Sequence, residues 1–123
     1  MRTVNFEFAD EEDFLIIKIS GAVGINERLL TKNSLSPYLQ HSHGKVIVDL
    51  YDLMETDGVY ILGVLNTIKM EIQLVNGRVM FCSLNPKLNH YFKENRLDRI
   101  FDIKESVDEA KRSLEGRKNA VEK

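Results

Sequence analysis

Lys45-Val46-Ile47-Val48-Asp49-Leu50, followed by Tyr51-Asp52-Leu53-Met54-Glu55-Thr56-Asp57-Gly58, decides the fold. Three β-branched residues in a row, with no polar alternation, describe a strand covered on both faces, which is the place of a central strand. A loop follows, and the periodicity then changes. Ile61, Leu65, Ile68 and Ile72 recur at three- and four-residue spacing, so a long helix is expected, with Thr56 or Asp57 as its cap and Asn76-Gly77 as its stop. Arg78 to Cys82 then reads as the next strand.

Reading outward toward the N-terminus, Phe14-Leu15-Ile16-Ile17-Lys18-Ile19 is a β-branched run closed by Ser20-Gly21, and Thr3 to Phe8 alternates Val4, Phe6 and Phe8 with polar residues. Two strands in a hairpin are expected there, with Asp10-Glu11-Glu12-Asp13 as the turn. Between the hairpin and the central strand, Asn26 to His41 has partly helical spacing, and Pro37 predicts a bent or two-piece helix. Toward the C-terminus, Asn85-Pro86 combines an N-cap with proline at the first helical position, and Asn95 is the expected left-handed terminator. Ile100 to Ile103 reads as a last short strand. Ser106-Val107-Asp108-Glu109 has the form of a capping box, so a helix through Ala110 and Leu114 closes the domain. The fold class is α/β: a mixed sheet with crossover helices in the order β-β-α-β-α-β-α-β-α, one domain over residues 1–115, with a frayed tail over 116–123.

Composition excludes several function classes. The chain has 123 residues, 17 Lys plus Arg against 19 Asp plus Glu, and a net charge of −2, so no field of one sign draws it to nucleic acid or to an anionic membrane. At 43% hydrophobic and 29% charged it is an ordinary globular sequence, long enough to bury roughly two-thirds of its unfolded surface. Cys82 is its only cysteine and cannot form an internal bridge. The N-terminus is polar at nearly every second position, unlike an export signal. Val59 to Val75 is interrupted by Asn66, Lys69, Glu71 and Gln73, which excludes a hydrocarbon-spanning helix. A soluble, cytoplasmic protein without membrane insertion is expected.

Few residues suggest chemistry. His41-Ser42-His43 lacks a third ligand at a recognised spacing and reads as a solvated loop, and His90 reads as surface packing. Cys82 ends an apolar strand, where a free thiol behaves as a small hydrophobe. Gly21-Ala22-Val23-Gly24 does not continue into a phosphate-binding loop, and the acidic run Asp10 to Asp13 reads as hydrated carboxylates. No catalytic residue, metal or cofactor is expected. The informative site is Glu55-Thr56-Asp57-Gly58, between the central strand and the long helix. A phosphate on Thr56 would meet the unpaired N–H groups and the partial positive charge of a helix start, adding roughly −1.5 to −2 charges there. The bland reading is that Thr56 or Asp57 simply caps the helix.

The element order, Val46-Ile47-Val48-Asp49-Leu50, the Glu55-Thr56-Asp57-Gly58 turn and Asn85-Pro86 after a strand together resemble the STAS domain family of anti-sigma factor antagonists. The stretch from Gly77 through Leu97-Asp98-Arg99-Ile100-Phe101 to Ser106-Val107-Asp108-Glu109-Ala110 is similar to the family's ending. The resemblance implies a non-catalytic signalling protein that binds an anti-sigma factor, a serine/threonine kinase of the histidine-kinase-like ATPase type. It also implies that phosphorylation ends the binding and that a matching phosphatase restores it. The family's phosphoacceptor serine falls on Thr56. Glu55 stands where the family has aspartate, and Asp57 replaces a second hydroxyl residue, setting a carboxylate beside the acceptor.

Partner contact is expected at Glu55, Thr56, Asp57 and Gly58 and on the exposed side of the following helix, at Val59, Tyr60 and Val64. An alternative is a STAS binding module that works without phosphorylation in a larger signalling or transport assembly. A two-component receiver domain is a further reading, built on Asp49 at the end of a central strand, Asp10 after an early one and Lys104 after the last. It stands behind the others because a receiver needs a helix directly after its first strand, where Phe14 to Ile19 reads as a strand.

Overall fold

The computed structural model describes residues 4–11, 14–21, 44–54 and 58–122. Val4–Glu11 (β1) and Phe14–Gly21 (β2) pair antiparallel, with Val4 opposite Gly21 and Glu11 opposite Phe14. Lys45–Asp49 (β3), Arg78–Cys82 (β4) and Ile103–Lys104 (β5) add to them in parallel, and the five-stranded sheet is ordered β1-β2-β3-β4-β5. Gly58–Leu74 (α1) joins β3 to β4. Pro86–Glu94 (α2) and a 3-10 turn at Leu97–Arg99 join β4 to β5, and Val107–Glu122 (α3) follows β5. The antiparallel β1–β2 pair removes the receiver reading. The bent helix expected within 26–41 and the His41-Ser42-His43 stretch lie outside the described residues.

The strand order dictates the layers. A chain that steps steadily from β2 to β5 repeats one crossover direction, and right-handed connections then deposit their helices on one face. Ile61, Leu65, Ile68 and Ile72 of α1 and Leu88 and Phe92 of α2 accordingly share one core with Ile17, Val46, Val48 and Phe81. The alternate residues of the same strands, Ile47, Met80 and Cys82, face the other way and meet Ala110 and Leu114 of α3. Val46, Ile47 and Val48 are all fully buried, as their unbroken apolar run requires.

Local signals place the helix ends. Asn76, at φ 60°, closes α1: Gly77 N–H donates to Ile72 O at 2.9 Å and Asn76 N–H to Gln73 O at 3.0 Å, the paired bonds of a Schellman stop. Glycine is needed at 77 because a Cβ there would sit 2.9 Å from Ile72 Cγ2. Asn85 Oδ1 accepts from Leu88 N–H at 3.0 Å, and Ser106 Oγ from Glu109 N–H at 3.1 Å, so both predicted N-caps are in use.

Four local expectations are corrected. Asp10 and Glu11 belong to β1 rather than to a turn, where Glu11 pairs opposite Phe14 and accepts from Lys111 Nζ at 2.7 Å; residues 12 and 13 lie outside the described residues. Asn95 keeps a negative φ because its side-chain amide donates to Tyr91 O at 2.9 Å, and Arg96 takes the left-handed turn at φ 55°. The last strand begins at Ile103 rather than Ile100, because Ile100 and Phe101 N–H both donate to Leu97 O and keep that stretch coiled. Val64 is 1% exposed: it lies three residues after Ile61 and four before Ile68, which puts it on the buried stripe and takes it off any partner surface.

Phe81 is fully buried and meets Phe101 edge-on with ring centroids 5.2 Å apart. Phe81→Ala is expected to cost about 3–5 kcal/mol of unfolding free energy in urea titration. Leu74→Ala, at a side chain 75% exposed, should stay within about 0.5 kcal/mol of the parent. A loss below about 1 kcal/mol for Phe81→Ala would contradict this core.

Candidate functional site

The carboxyl end of β3 opens onto a loop held from three sides. Leu50 N–H donates to Cys82 O at 3.0 Å, which extends the β3–β4 ladder by one bond, and Leu53 N–H returns to Leu50 O at 3.1 Å. Asp49 Oδ1 accepts from Tyr51 N–H at 3.0 Å, so this carboxylate shapes the turn. Toward β2, Gly21 N–H donates to Asp52 O at 3.3 Å and Met54 N–H to Gly21 O at 2.7 Å, bonds allowed by Gly21's φ of 88°. Lys18 Nζ adds a contact to Asp52 Oδ2 at 3.0 Å, and that hydrogen bond raises the Lys18 pKa above its ordinary value. Toward α2, Asn85 Nδ2 donates to Leu53 O at 2.8 Å and to Tyr51 O at 3.3 Å.

Buried Leu50 and Leu53 anchor the loop below, and Tyr51 (62% exposed) and Met54 (45%) project outward. Neither of these exposed apolar side chains is among the partner-contact residues expected from the sequence. The spacing of Leu50 and Leu53 is the signal that could have found them, since a turn that buries both turns its neighbours to solvent. Glu55, Thr56 and Asp57 lie outside the described residues. Their two flanks are described: Met54 is tied to Gly21, and α1 starts at Gly58, with Val59 and Tyr60 in its first turn. A helix start presents N–H groups without intrahelical partners. Residues 55–57 are therefore flanked by a pinned chain on one side and a helix start on the other.

The remaining candidates are scattered. Cys82 is fully buried, and loss of hydration pushes its thiol up to about 11, which keeps it protonated and unreactive at neutral pH. His90 is exposed on α2 and pairs with Glu94 one turn on. Among the described residues no group of three or more His, Cys, Asp or Glu side chains is placed to hold a metal ion. No helix among them is long and apolar enough to cross a membrane. An open groove of about 340 Å³, bordered by Lys69, Arg99 and Asp102, lies at the amino end of β4, opposite the loop.

Known proteins agree with this architecture. A STAS domain family model matches residues 5–110. The chain is 26% identical over 113 residues to the TM1081 homolog of Thermotoga neapolitana, a candidate anti-sigma factor antagonist, covering 91% of this chain and 99% of that one. The crystal structure of TM1081 from Thermotoga maritima superposes with a TM-score of 0.69 at 23% identity, over 89% of this chain and 94% of the other. The anti-sigma factor antagonist SpoIIAA in its unphosphorylated form gives a TM-score of 0.66 at 17% identity, over 91% and 97%. SpoIIAA of Bacillus has also been solved in the phosphorylated form, with a TM-score of 0.55 at 17% identity, over 89% and 99%.

The burial of Cys82 has a measurable consequence. Iodoacetamide at pH 8 is expected to leave the native protein unlabelled and to modify Cys82 fully in urea. The raised pKa means that the folded state holds this proton more tightly, so its stabilisation is intact below a free thiol's pKa of about 8.5 and is lost as pH rises through about 11. Native labelling at pH 8 as fast as in urea would show that the thiol is not enclosed.

Proposed function

The chain belongs to the STAS domain family, and on that premise we propose that it is an anti-sigma factor antagonist that works by docking rather than turnover. Its partner in this reading is an anti-sigma factor of the histidine-kinase-like ATPase type, and Thr56 is the hydroxyl on which a phosphate ends the docking. The observation that carries the proposal is the bracketed turn: a segment ending at Met54, held from β2 and α2, delivers the chain to the start of α1. A phosphate between those flanks gains N–H donors and the helix dipole while adding roughly −1.5 to −2 charges to the docking face. SpoIIAA, solved in both unphosphorylated and phosphorylated forms, is the precedent for such a switch.

The proposed docking face comprises Glu55, Thr56, Asp57, Gly58, Val59 and Tyr60, joined by Tyr51 and Met54. Exposed aromatic and methionine side chains suit a protein contact, because they bury much area with little loss of polar hydration. Val64 has no part in it. A second reading keeps the same face without the switch. Asp57 favours it, since a carboxylate next to Thr56 competes for the same N–H groups and repels an incoming phosphate.

With ATP and the cognate anti-sigma kinase, the parent protein is expected to take up one phosphate and Thr56→Ala none, as read by intact mass. Thr56→Glu should weaken kinase binding at least tenfold, about 1.4 kcal/mol. Uptake undiminished in Thr56→Ala removes the switch from this residue, and tight binding with no transfer at all selects the second reading. Met54→Asp should also weaken binding by about tenfold while moving unfolding free energy by no more than about 0.5 kcal/mol; unchanged affinity would take Met54 off the face.

A further inference from the structure

Asn85 is tied to both neighbouring elements at once. An asparagine side chain has one carbonyl oxygen and two amide hydrogens. Here the oxygen accepts from Leu88 N–H at 3.0 Å and caps α2, while the amide nitrogen donates to Leu53 O at 2.8 Å and Tyr51 O at 3.3 Å. The reversed amide would set a donor against the Leu88 N–H and an acceptor against two carbonyls, so the three partners define its orientation. Serine, threonine and aspartate cap a helix about as well as asparagine, but none can donate twice. The cap alone therefore does not explain the amide.

The loop it reaches lies more than thirty residues away in the chain. Ser83, at φ 61°, turns the chain as it leaves β4, two residues ahead of Asn85. On the far side of the loop, Gly21 grips Met54 N–H and Asp52 O. Residues 51–54 thus span the gap between the end of β2 and the start of α2, with their carbonyls alternately bound by the two. Asn85 holds the carbonyls of Tyr51 and Leu53, and Gly21 holds Asp52 O and Met54 N–H.

We propose that Asn85 is a positioning residue for the docking face: its amide, and not its capping oxygen, holds residues 51–54 in the shape a partner meets. The functional half rests on the docking reading above; the conformational half does not. Partner affinity then depends on a residue that need not touch the partner, through the order of the loop it holds. Asn85→Asp is the discriminating change, because it keeps an oxygen acceptor for Leu88 N–H, adds a charge favourable at a helix start, and turns the two donor contacts into acceptor against acceptor.

Hydrogen exchange on the free protein, resolved by residue, reads the loop and the cap separately. In Asn85→Asp the amides of Leu53 and Met54 should exchange at least tenfold faster, while Leu88 and the rest of α2 keep parental protection. In Asn85→Ala both sets should speed up. Binding of Asn85→Asp to the anti-sigma kinase should fall at least tenfold, and Asn85→Ser, which restores a cap without the amide, should not recover it. Parental exchange at Leu53 and Met54 in Asn85→Asp would overturn the proposal, as would faster loop exchange with undiminished affinity. If Asn85→Asp does not fold, Asn85→Ser carries both readouts with the same expected results. A parent protein that fails to bind the kinase defeats the docking reading alone, since the exchange result stands on the free chain.

Discussion

Val46, Ile47 and Val48 are shut off from solvent between two helical layers, and the ladders to β2 and β4 hold them in one register, with Val46 beside Leu15 and Val79. A slip by one residue would turn Ile47 toward α1 and carry the carboxylate of Asp49 to that face with it, because side chains alternate strictly along a strand. The register is thus enforced by burial on both faces. It also determines where the chain leaves the sheet: Leu50 N–H meets Cys82 O, and the loop beyond begins at one defined point.

From that point outward the forces change. The core is held by apolar area and close packing, whereas residues 51–54 are held by backbone carbonyls and amides, the Asp49 carboxylate, one asparagine amide and one exposed ion pair, with only Leu53 reaching the interior. A loop of this kind costs less to rearrange than a strand of the core. In the proposed role such a balance is useful: the sheet supplies a rigid platform, and adding one phosphate at the next turn alters charge on the docking face without disturbing the packed layers. None of this requires a reacting group. The buried, protonated Cys82 and the turn-shaping Asp49 are structural on the geometry seen here.

Where a signal is local, the sequence was legible. The β-branched run of β3, the isoleucine and leucine stripe of α1, the Schellman stop at Asn76 and the caps at Asn85 and Ser106 each depend on residues within a turn or two of one another. Features set by distant partners were not. The carboxylate of Glu11 is met by Lys111, one hundred residues on. The late start of β5 follows from the coiled stretch after Arg96, which no strand periodicity announces. Val64 is buried beside the Ile61, Leu65, Ile68 and Ile72 stripe because α1 is packed broadly enough to enclose a fifth position. In the candidate site, the double donation of Asn85's amide is set by carbonyls far away in the chain, whereas the exposure of Tyr51 and Met54 follows from the burial of their neighbours Leu50 and Leu53.

Whether the chain that follows β3 meets the proposed anti-sigma kinase can be read residue by residue from chemical shifts. The isotope-labelled chain would be titrated with the unlabelled anti-sigma kinase. The perturbed amides are expected to cluster at residues 51–60, with α2 affected only at its first turn, beside Asn85. Perturbations gathered instead around the groove bordered by Lys69, Arg99 and Asp102, at the opposite end of the sheet, would contradict it.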